Sequence, residues 1–376
     1  MRKTLFAILA ICAVARLTYL LYGAAYDHHA GKSNSTGLKV FNKADAGWYE
    51  NIFNEGYPHI NDRDSIGRRN GSSSIQSSWA FFPGYPYTIK AVAKIFSGNY
   101  NSAAFISGFI FSMAFFFLLF LFIQKRNNNG DEWVVLLTIV CFPFHFFYHV
   151  FYSEAYFMAT LLGTLLFIGK KKFFFASICL ALMVMIRSTG LALIPVIIFY
   201  AFHIAGLTSL RQFKNMGAEL FHHWKNYLLI FLLPALAFGS WCCFQWISTG
   251  HWNAFAIAQE GWYHKLRFPL LSLFRGGDWQ NQFLSCYTLL FLTAAIIFFK
   301  KFLLYEKIWV LTGLLFPLCF GTVISMPRYI SIVLPLFFVA GEKISGTKYR
   351  KPILIVLALL QLVTFYFWLK GDPICY

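Results

Sequence analysis

The sequence predicts an all-α polytopic membrane protein, and three observations carry that reading. The chain of 376 residues is 58% hydrophobic and only 12% charged, whereas soluble domains carry about 25% charged residues. Apolar runs of about 20 residues, the length a helix needs to cross a bilayer core, recur along the whole chain. The basic residues, in a net charge of +17, cluster at the ends of those runs: Arg2 and Lys3, Lys125 and Arg126, Lys170 to Lys172, Lys300 and Lys301, Arg350 and Lys351. Basic loops of this kind stay on the cytoplasmic side. The charge therefore orients helices, and no patch suited to nucleic acid is left over.

With those clusters as cytoplasmic marks, the chain reads as about eleven spans. They cover residues 4–24, 101–123, 132–150, 154–169, 173–187 and 190–206, then 226–247, 284–299, 308–325, 328–341 and 352–369. The N-terminus falls inside and the C-terminus outside. Spans shorter than about 17 residues are expected to be tilted, broken or shielded by protein. The opening "MRKTLFAILAICAVARLTYLLYG" has the basic start of a signal peptide, but no small-residue cleavage site follows and Arg16 interrupts its core. It reads as a retained first span. Eight scattered cysteines without CxxC spacing indicate neither a zinc site nor a disulfide framework.

Residues 1–376 form one membrane domain with two extracytoplasmic loops, 25–100 and 248–283. The cytoplasmic loops are short, with no P-loop and no GxGxxG after a strand. Direct use of a nucleotide is thereby poorly supported, and the chemistry is expected on the outer face. In the first loop, "ADAGWYENIFNEGY" sets Trp48, Ile52 and Phe53 on one helical face and Glu50, Asn54 and Glu55 on the other. That pattern predicts a short interfacial helix. "INDRDSIGRRNGSSSIQSS" reads as a polar mobile loop. "WAFFPGYPYTIKAVAKIF" predicts a second amphipathic helix with Pro86 in its first turn. The two helices would hold Asp45 at the membrane surface. Asn34-Ser35-Thr36 matches the glycosylation sequon on the side suited to it, a short motif that often arises by chance.

Several polar residues are candidates for chemistry. Asp45 suits a helix N-cap, and spacing alone favours that role. A carboxylate beside apolar helices can also take a proton from a hydroxyl. Arg187 in "MVMIRSTGLALIP" and Arg328 in "VISMPRYISIVLP" fall on the same outer side as Asp45. Each could snorkel to the interface, but two arginines on the same side as Asp45 favour binding of an anion such as phosphate, whose oxygens their forked donors match. Glu154 in "HVFYSEAYF" reads first as an acid complementing a helix dipole. His145 and His149 stand at i and i+4, a weak metal signal beside ordinary aromatic packing. The second loop offers Gln259, Glu260, Trp262, His264 and Arg267. Aromatic and amide groups together suit a sugar or headgroup, although an interfacial aromatic belt also explains Trp252 and Trp262.

Five segments, in order, resemble the PIG-V-type mannosyltransferases, membrane enzymes of the GT-C fold. "ADAGWYENIFNEGY" with "AFFPGYP" is similar to WDxxWYxxIAxxGY…FFPxYP. "FPFHFFYHVFYSEAYF" resembles FPxAxFFxxxYSExLF, and "IRSTGL" resembles RSxGL. "GHWNAFAIAQEGW" is similar to GDPxAFxxAQxxW, and "PRYISIVLPLF" to RYxxxxFPLF. Each segment is weak alone; together they span most of the chain. Two departures matter: Ala44 stands where the family has Trp, and Gly250-His251-Trp252 replaces GDP, losing an acid and a proline.

The resemblance implies a GT-C-type bundle that transfers a hexose, such as mannose, from a polyprenyl-phosphate-linked donor to a glycan or glycolipid acceptor. Asp45 would be the general base and Arg187 and Arg328 the ligands of the donor phosphate. Trp48, Tyr49, Glu154, Gln259, Trp262 and Arg267 would contact substrate. No cofactor is expected; a polyprenyl phosphate leaves as a stabilised anion, so a metal is not required in principle. The length fits a bacterial inner-membrane homologue, with the endoplasmic reticulum as the eukaryotic counterpart. A lipid-linked-sugar flippase and a non-catalytic assembly subunit are the competing classes. No internal repeat of the transporter kind is found.

Overall fold

The computed structural model describes residues 2–29, 37–70, 73–96, 98–126, 130–274 and 276–375. The Asn34-Ser35-Thr36 sequon lies outside the described residues. The chain is helical almost throughout, as the apolar runs require. Among the described residues five helices are long and apolar enough to cross a membrane: Arg2–His29, Tyr100–Lys125, Trp224–Thr249, Trp279–Phe298 with its short extension to Lys301, and Arg350–Lys370. The remaining expected spans correspond to shorter helices, so the count of eleven is not confirmed by length and composition.

The centre of the bundle is one of the shorter elements, Glu154–Gly169, which is buried along almost its entire length. It packs between Tyr100–Lys125 and Phe173–Ile186. Thr160 and Thr164 donate their hydroxyls to carbonyls one turn back, at 3.1 and 2.9 Å. These two buried hydroxyls are thus satisfied inside the helix, as an environment without water demands.

Four predicted spans are broken or cut short, each beside a proline. The run 132–150 is helical only over Glu132–Cys141. Pro143 and a left-handed Phe144 (φ 67°) turn the chain back, and a short 3₁₀ segment, His145–Tyr148, follows. Proline disfavours helix in the residue before it, and this irregular backbone is tolerated because protein buries it. The run 190–206 divides into Thr189–Ala192 and Ile194–Ile204 next to Pro195. The run 308–325 becomes Leu304–Leu318, with Pro317 in its last turn. The run 328–341 divides into Met326–Ser331 and Leu334–Ser345 next to Pro335.

The segment expected to form the first external loop carries a helix at both predicted places, Asp45–Glu55 and Gly84–Phe96. The described residues of the polar stretch between them, which leave out 71 and 72, carry regular structure. They contain a helical turn, Arg63–Ile66, and a two-stranded antiparallel hairpin, Arg68–Asn70 with Ser73–Ile75, in which Arg68 pairs with Ile75. These elements pack against the stretch of chain that holds Trp241, Ala254, Ile257 and Ala258. Ile66, Trp79, Phe82, Trp241, Ile257 and Ala258 form a separate apolar core shared by the two loops. A Cβ on Gly67 would stand 2.5 Å from Ala258 Cα, so only glycine allows this approach.

The two ends of the bundle carry different ion networks. At the basic end, Arg126 binds Glu306 (Nε to Oε1 at 2.5 Å) and Glu342, tying together three helix ends. Asp45, Glu154, Arg187 and Arg328 meet at the other end.

Candidate active site

The chain reaches Asp45 through an unusual backbone. Ala44 holds φ 49°, a conformation rare for residues with a side chain and one that clusters at functional sites. The helix begins at Asp45 itself, and Ala44, its N-cap, offers no side-chain hydrogen bond. Asp45 is therefore not the cap that spacing favours; its carboxylate accepts from Arg328 instead. The Tyr100 hydroxyl donates to Ala46 O at 3.0 Å and holds the start of this helix in place.

Arg328 is almost fully buried and joins two carboxylates. Its Nη1 donates to Asp45 Oδ2 and its Nε to Glu154 Oε1. The guanidinium lies over the ring of Tyr152, 4.2 Å from the centroid. The left-handed Ser325 (φ 65°) starts the short helix that presents this arginine.

Arg187 ends the helix Phe173–Ile186 in an extended conformation. Its Nη1 donates to the same Glu154 oxygen. The glycine of the "RSTG" segment serves close approach: a Cβ on Gly190 would stand 2.8 Å from Met183 O. Gly84 plays the same part for the second interfacial helix, 2.6 Å from Met185 O.

Glu154 is wholly inaccessible and, beyond complementing a helix dipole, is the hub of this network. Its Oε1 accepts from both arginines, while Oε2 has no partner. Asp45, with a side chain 27% exposed, is the most accessible of the four. Two carboxylates and two guanidinium groups leave the cluster formally neutral. Each arginine still has N–H groups not committed to the carboxylates.

A cavity of about 980 Å³ opens over this cluster. Asp45, Arg187 and Arg328 line one side, and Gln259, Trp262 and His264 the other. Tyr49 also lines it, and its hydroxyl donates to Ser153 Oγ at 3.2 Å. Burial pushes the Tyr49 hydroxyl above the usual phenol value, against the lowering fields of Arg328 and Arg187. It therefore acts as a neutral donor. Trp48, Phe81 and Trp262 pack at centroid distances of 5.4 to 6.0 Å beside the cavity.

His264 holds a defined tautomer. Gln259 Oε1 can only accept, so at 2.6 Å the His264 Nδ1 carries the proton and Nε2 keeps a lone pair. Burial pushes this imidazole down to about 4, partly countered by the charge of Asp45. It is neutral at physiological pH.

Of the residues the sequence offered, Asp45, Tyr49, Arg187, Gln259, Glu260, Trp262, His264 and Arg328 line the cavity. Trp48 supports Trp262 from behind, and Glu154 lies beneath the arginines. Arg267 stands apart: its backbone N–H donates to Cys319 O at 2.7 Å and its side chain is exposed outside the cavity lining. His145 and His149 are buried among aromatic rings, His145 against Phe337 and His149 against Tyr19 and Phe116. Among the described residues no group of three or more His, Cys, Asp or Glu side chains is placed to hold a metal. Tyr152 was not singled out from sequence, although it sits two residues before Glu154 in the "YSE" segment.

No family model matches the chain, and no curated protein matches it. Among solved structures, the apo oligosaccharyltransferase of Archaeoglobus fulgidus is similar at 14% identity and a TM-score of 0.50, covering 98% of this chain and 56% of that one. The archaeal oligosaccharyltransferase AglB from the same organism, in complex with an inhibitory peptide and a dolichol-phosphate, matches at 10% identity and a TM-score of 0.44, over 99% of this chain and 56% of that one. The chain thus spans just over half the length of these structures. At that identity the likeness to the apo enzyme is one of fold alone, and the PIG-V resemblance rests on the sequence motifs.

Proposed function

We propose that the protein is a glycosyltransferase that moves a hexose, with mannose the first choice, from a polyprenyl-phosphate-linked donor to a glycan or lipid acceptor. The observation that carries this reading is one acid and two arginines, gathered from residues 45, 187 and 328, facing a single cavity. The fold shared with an oligosaccharyltransferase is consistent with it.

In this mechanism the acceptor hydroxyl lies beside Asp45, which takes its proton as the oxygen attacks the anomeric carbon. The bond from that carbon to the phosphate oxygen breaks on the opposite face, so the configuration inverts. The lipid phosphate leaves carrying the electron pair. The uncommitted N–H groups of Arg187 and Arg328 receive the charge that develops there, which is where fixed donors contribute most to rate. Glu154 touches neither substrate; it fixes both guanidinium groups so that they need not reorganise during the reaction. Tyr49, Gln259 and neutral His264 supply hydroxyl, amide and imidazole partners for sugar hydroxyls, and Trp262 an apolar face.

The test is direct. Purified protein is incubated with synthetic polyprenyl-phosphate mannose and a panel of glycan and lipid acceptors, and the products are read by mass spectrometry. A new glycoside with inverted anomeric configuration is the expected result. Retention of configuration removes the single-displacement step, and a lack of transfer with any polyprenyl-phosphate hexose removes the donor class.

A further inference from the structure

At the end of the bundle opposite Asp45 lies a second cavity, of about 240 Å³. Its position follows from Gly169, two residues before the lining residue Lys171. A Cβ on Gly169 would stand 3.5 Å from Lys125 Nζ, at the basic end of the bundle. The cavity sits where the turn after Glu154–Gly169, the end of Ile194–Ile204 and the start of Trp224–Thr249 come together. Glu219, from the short helix Phe213–His222, closes it.

The lining has two characters. Ile168, Ile204 and Ile230 make an apolar back, while Lys171, Glu219, His223, Asn226 and Tyr227 supply the polar groups, with Tyr227 hydrogen-bonded to Glu219. Glu219 stands 3.7 Å from His223, and no ion pair joins it to Lys171 among the described residues. One cation and one carboxylate therefore face the same small volume. At about 240 Å³ it is below the roughly 300–1,000 Å³ typical of sites that enclose a whole small molecule. A headgroup fits; the chains of a lipid must lie outside.

The surroundings set the depth of the cavity. Leu220 is 40% exposed, Phe221 79% and Trp224 54%, and Lys225 Nζ lies 5.9 Å from the Trp224 ring centroid. Exposed apolar and aromatic side chains beside lysines mark an element lying among lipid headgroups.

We propose that this cavity binds a phosphoethanolamine phospholipid of the adjoining leaflet, with its phosphate at Lys171, its ammonium at Glu219 and an acyl chain along Ile204 and Ile230. The charge pattern selects among headgroups. A phosphate with a neutral glycerol leaves Glu219 facing an anion without a cation between them. A choline headgroup has no N–H to donate to that carboxylate. A primary ammonium both neutralises Glu219 and hydrogen-bonds to it. The proposal does not depend on the transferase reading.

The experiment titrates dioleoyl phosphatidylethanolamine, phosphatidylcholine or phosphatidylglycerol into the purified full-length protein in detergent and follows the melting temperature. Phosphatidylethanolamine is expected to stabilise at the lowest concentration. Lys171→Gln and Glu219→Gln each raise its half-effective concentration roughly threefold, the size of a partly exposed ion pair, without changing melting in the absence of lipid. Exchanging the charges, Lys171→Glu with Glu219→Lys, restores the response. Lys225→Gln, outside the cavity, leaves the preference intact. Equal responses to choline and ethanolamine lipids overturn the proposal, as does a stronger response to phosphatidylglycerol, which assigns binding to the basic cluster as a whole. Failure of the charge exchange to restore the response overturns it too.

Discussion

Arg328 binds Asp45 and Glu154 at once, through two different nitrogens of one guanidinium, although these acids lie 283 and 174 positions away in the sequence. The external acid and the buried acid are thereby held in one arrangement by a single residue. Each member of the network then has a separable role.

Asp45→Asn is expected to lower turnover by about 10²–10⁴-fold, the usual contribution of general-base assistance. The protein should remain folded, because Asp45 caps no helix and Arg328 keeps Glu154. Initial rates and melting curves on the same preparation check this. Glu50→Gln and Glu55→Gln, elsewhere on the same helix, should cost far less. Full activity in Asp45→Asn removes the base mechanism.

Arg328→Lys and Arg187→Lys retain charge but are expected to lose activity, since a point ammonium cannot reproduce forked contacts. Arg328→Lys should be the more damaging: Arg328 serves two carboxylates and Arg187 one. Steady-state kinetics against donor concentration test the order. Near-normal turnover in both assigns the arginines to structure alone.

Glu154→Gln leaves two arginine side chains with only Asp45 to balance them. Removing one partner of a buried ion pair costs about 3–5 kcal/mol, so thermal unfolding should drop clearly in this variant. Glu154→Asp keeps the charge but draws it back by one methylene. It should unfold closer to wild type yet turn over slowly, because the arginines are no longer fixed. Equal stability in Glu154→Gln and wild type contradicts the hub role.

The pH dependence of stability carries a contribution from His264. Its value is 6.5 ordinarily and about 4 in the folded protein, so between those values the unfolded chain binds more protons. Stability should therefore fall as pH drops from 6.5 towards 4, and this contribution is flat above that window. His264→Gln should flatten the same window in melting temperatures measured from pH 4 to 8. A variant that follows the wild-type curve shows that the imbalance lies elsewhere.

The sequence made visible what depends on local composition. Tyr100–Lys125 is an unbroken apolar run and was predicted as 101–123, because propensity and burial agree along its length. Asp45–Glu55 was legible from one polar and one apolar face. The break after Cys141 was not: "FPFHFF" is as apolar as the helix before it, and hydropathy does not register Pro143 or a left-handed Phe144. The hairpin at Arg68–Asn70 was missed for a related reason. Its order comes from Trp79, Trp241 and Ile257, none of them in the polar stretch itself. At the candidate site, residue types were readable and pairings were not. Nothing near Glu154 in the sequence announces that one of its oxygens serves two arginines from other elements. Charge signs limit who can pair, but distances of 33 and 174 residues are settled only by packing.

The Arg126 network has a mechanical implication. With Glu306 and Glu342 it laces three helix ends together at one end of the bundle, while Arg328 and Arg187 lace the other. A body fastened at both ends resists the rocking by which a carrier exposes its centre to each side in turn, since either direction of tilt must tear buried ionic contacts. Such a frame is suited to holding Asp45, Arg187 and Arg328 at fixed positions beside their cavity while the groups around them stay in register.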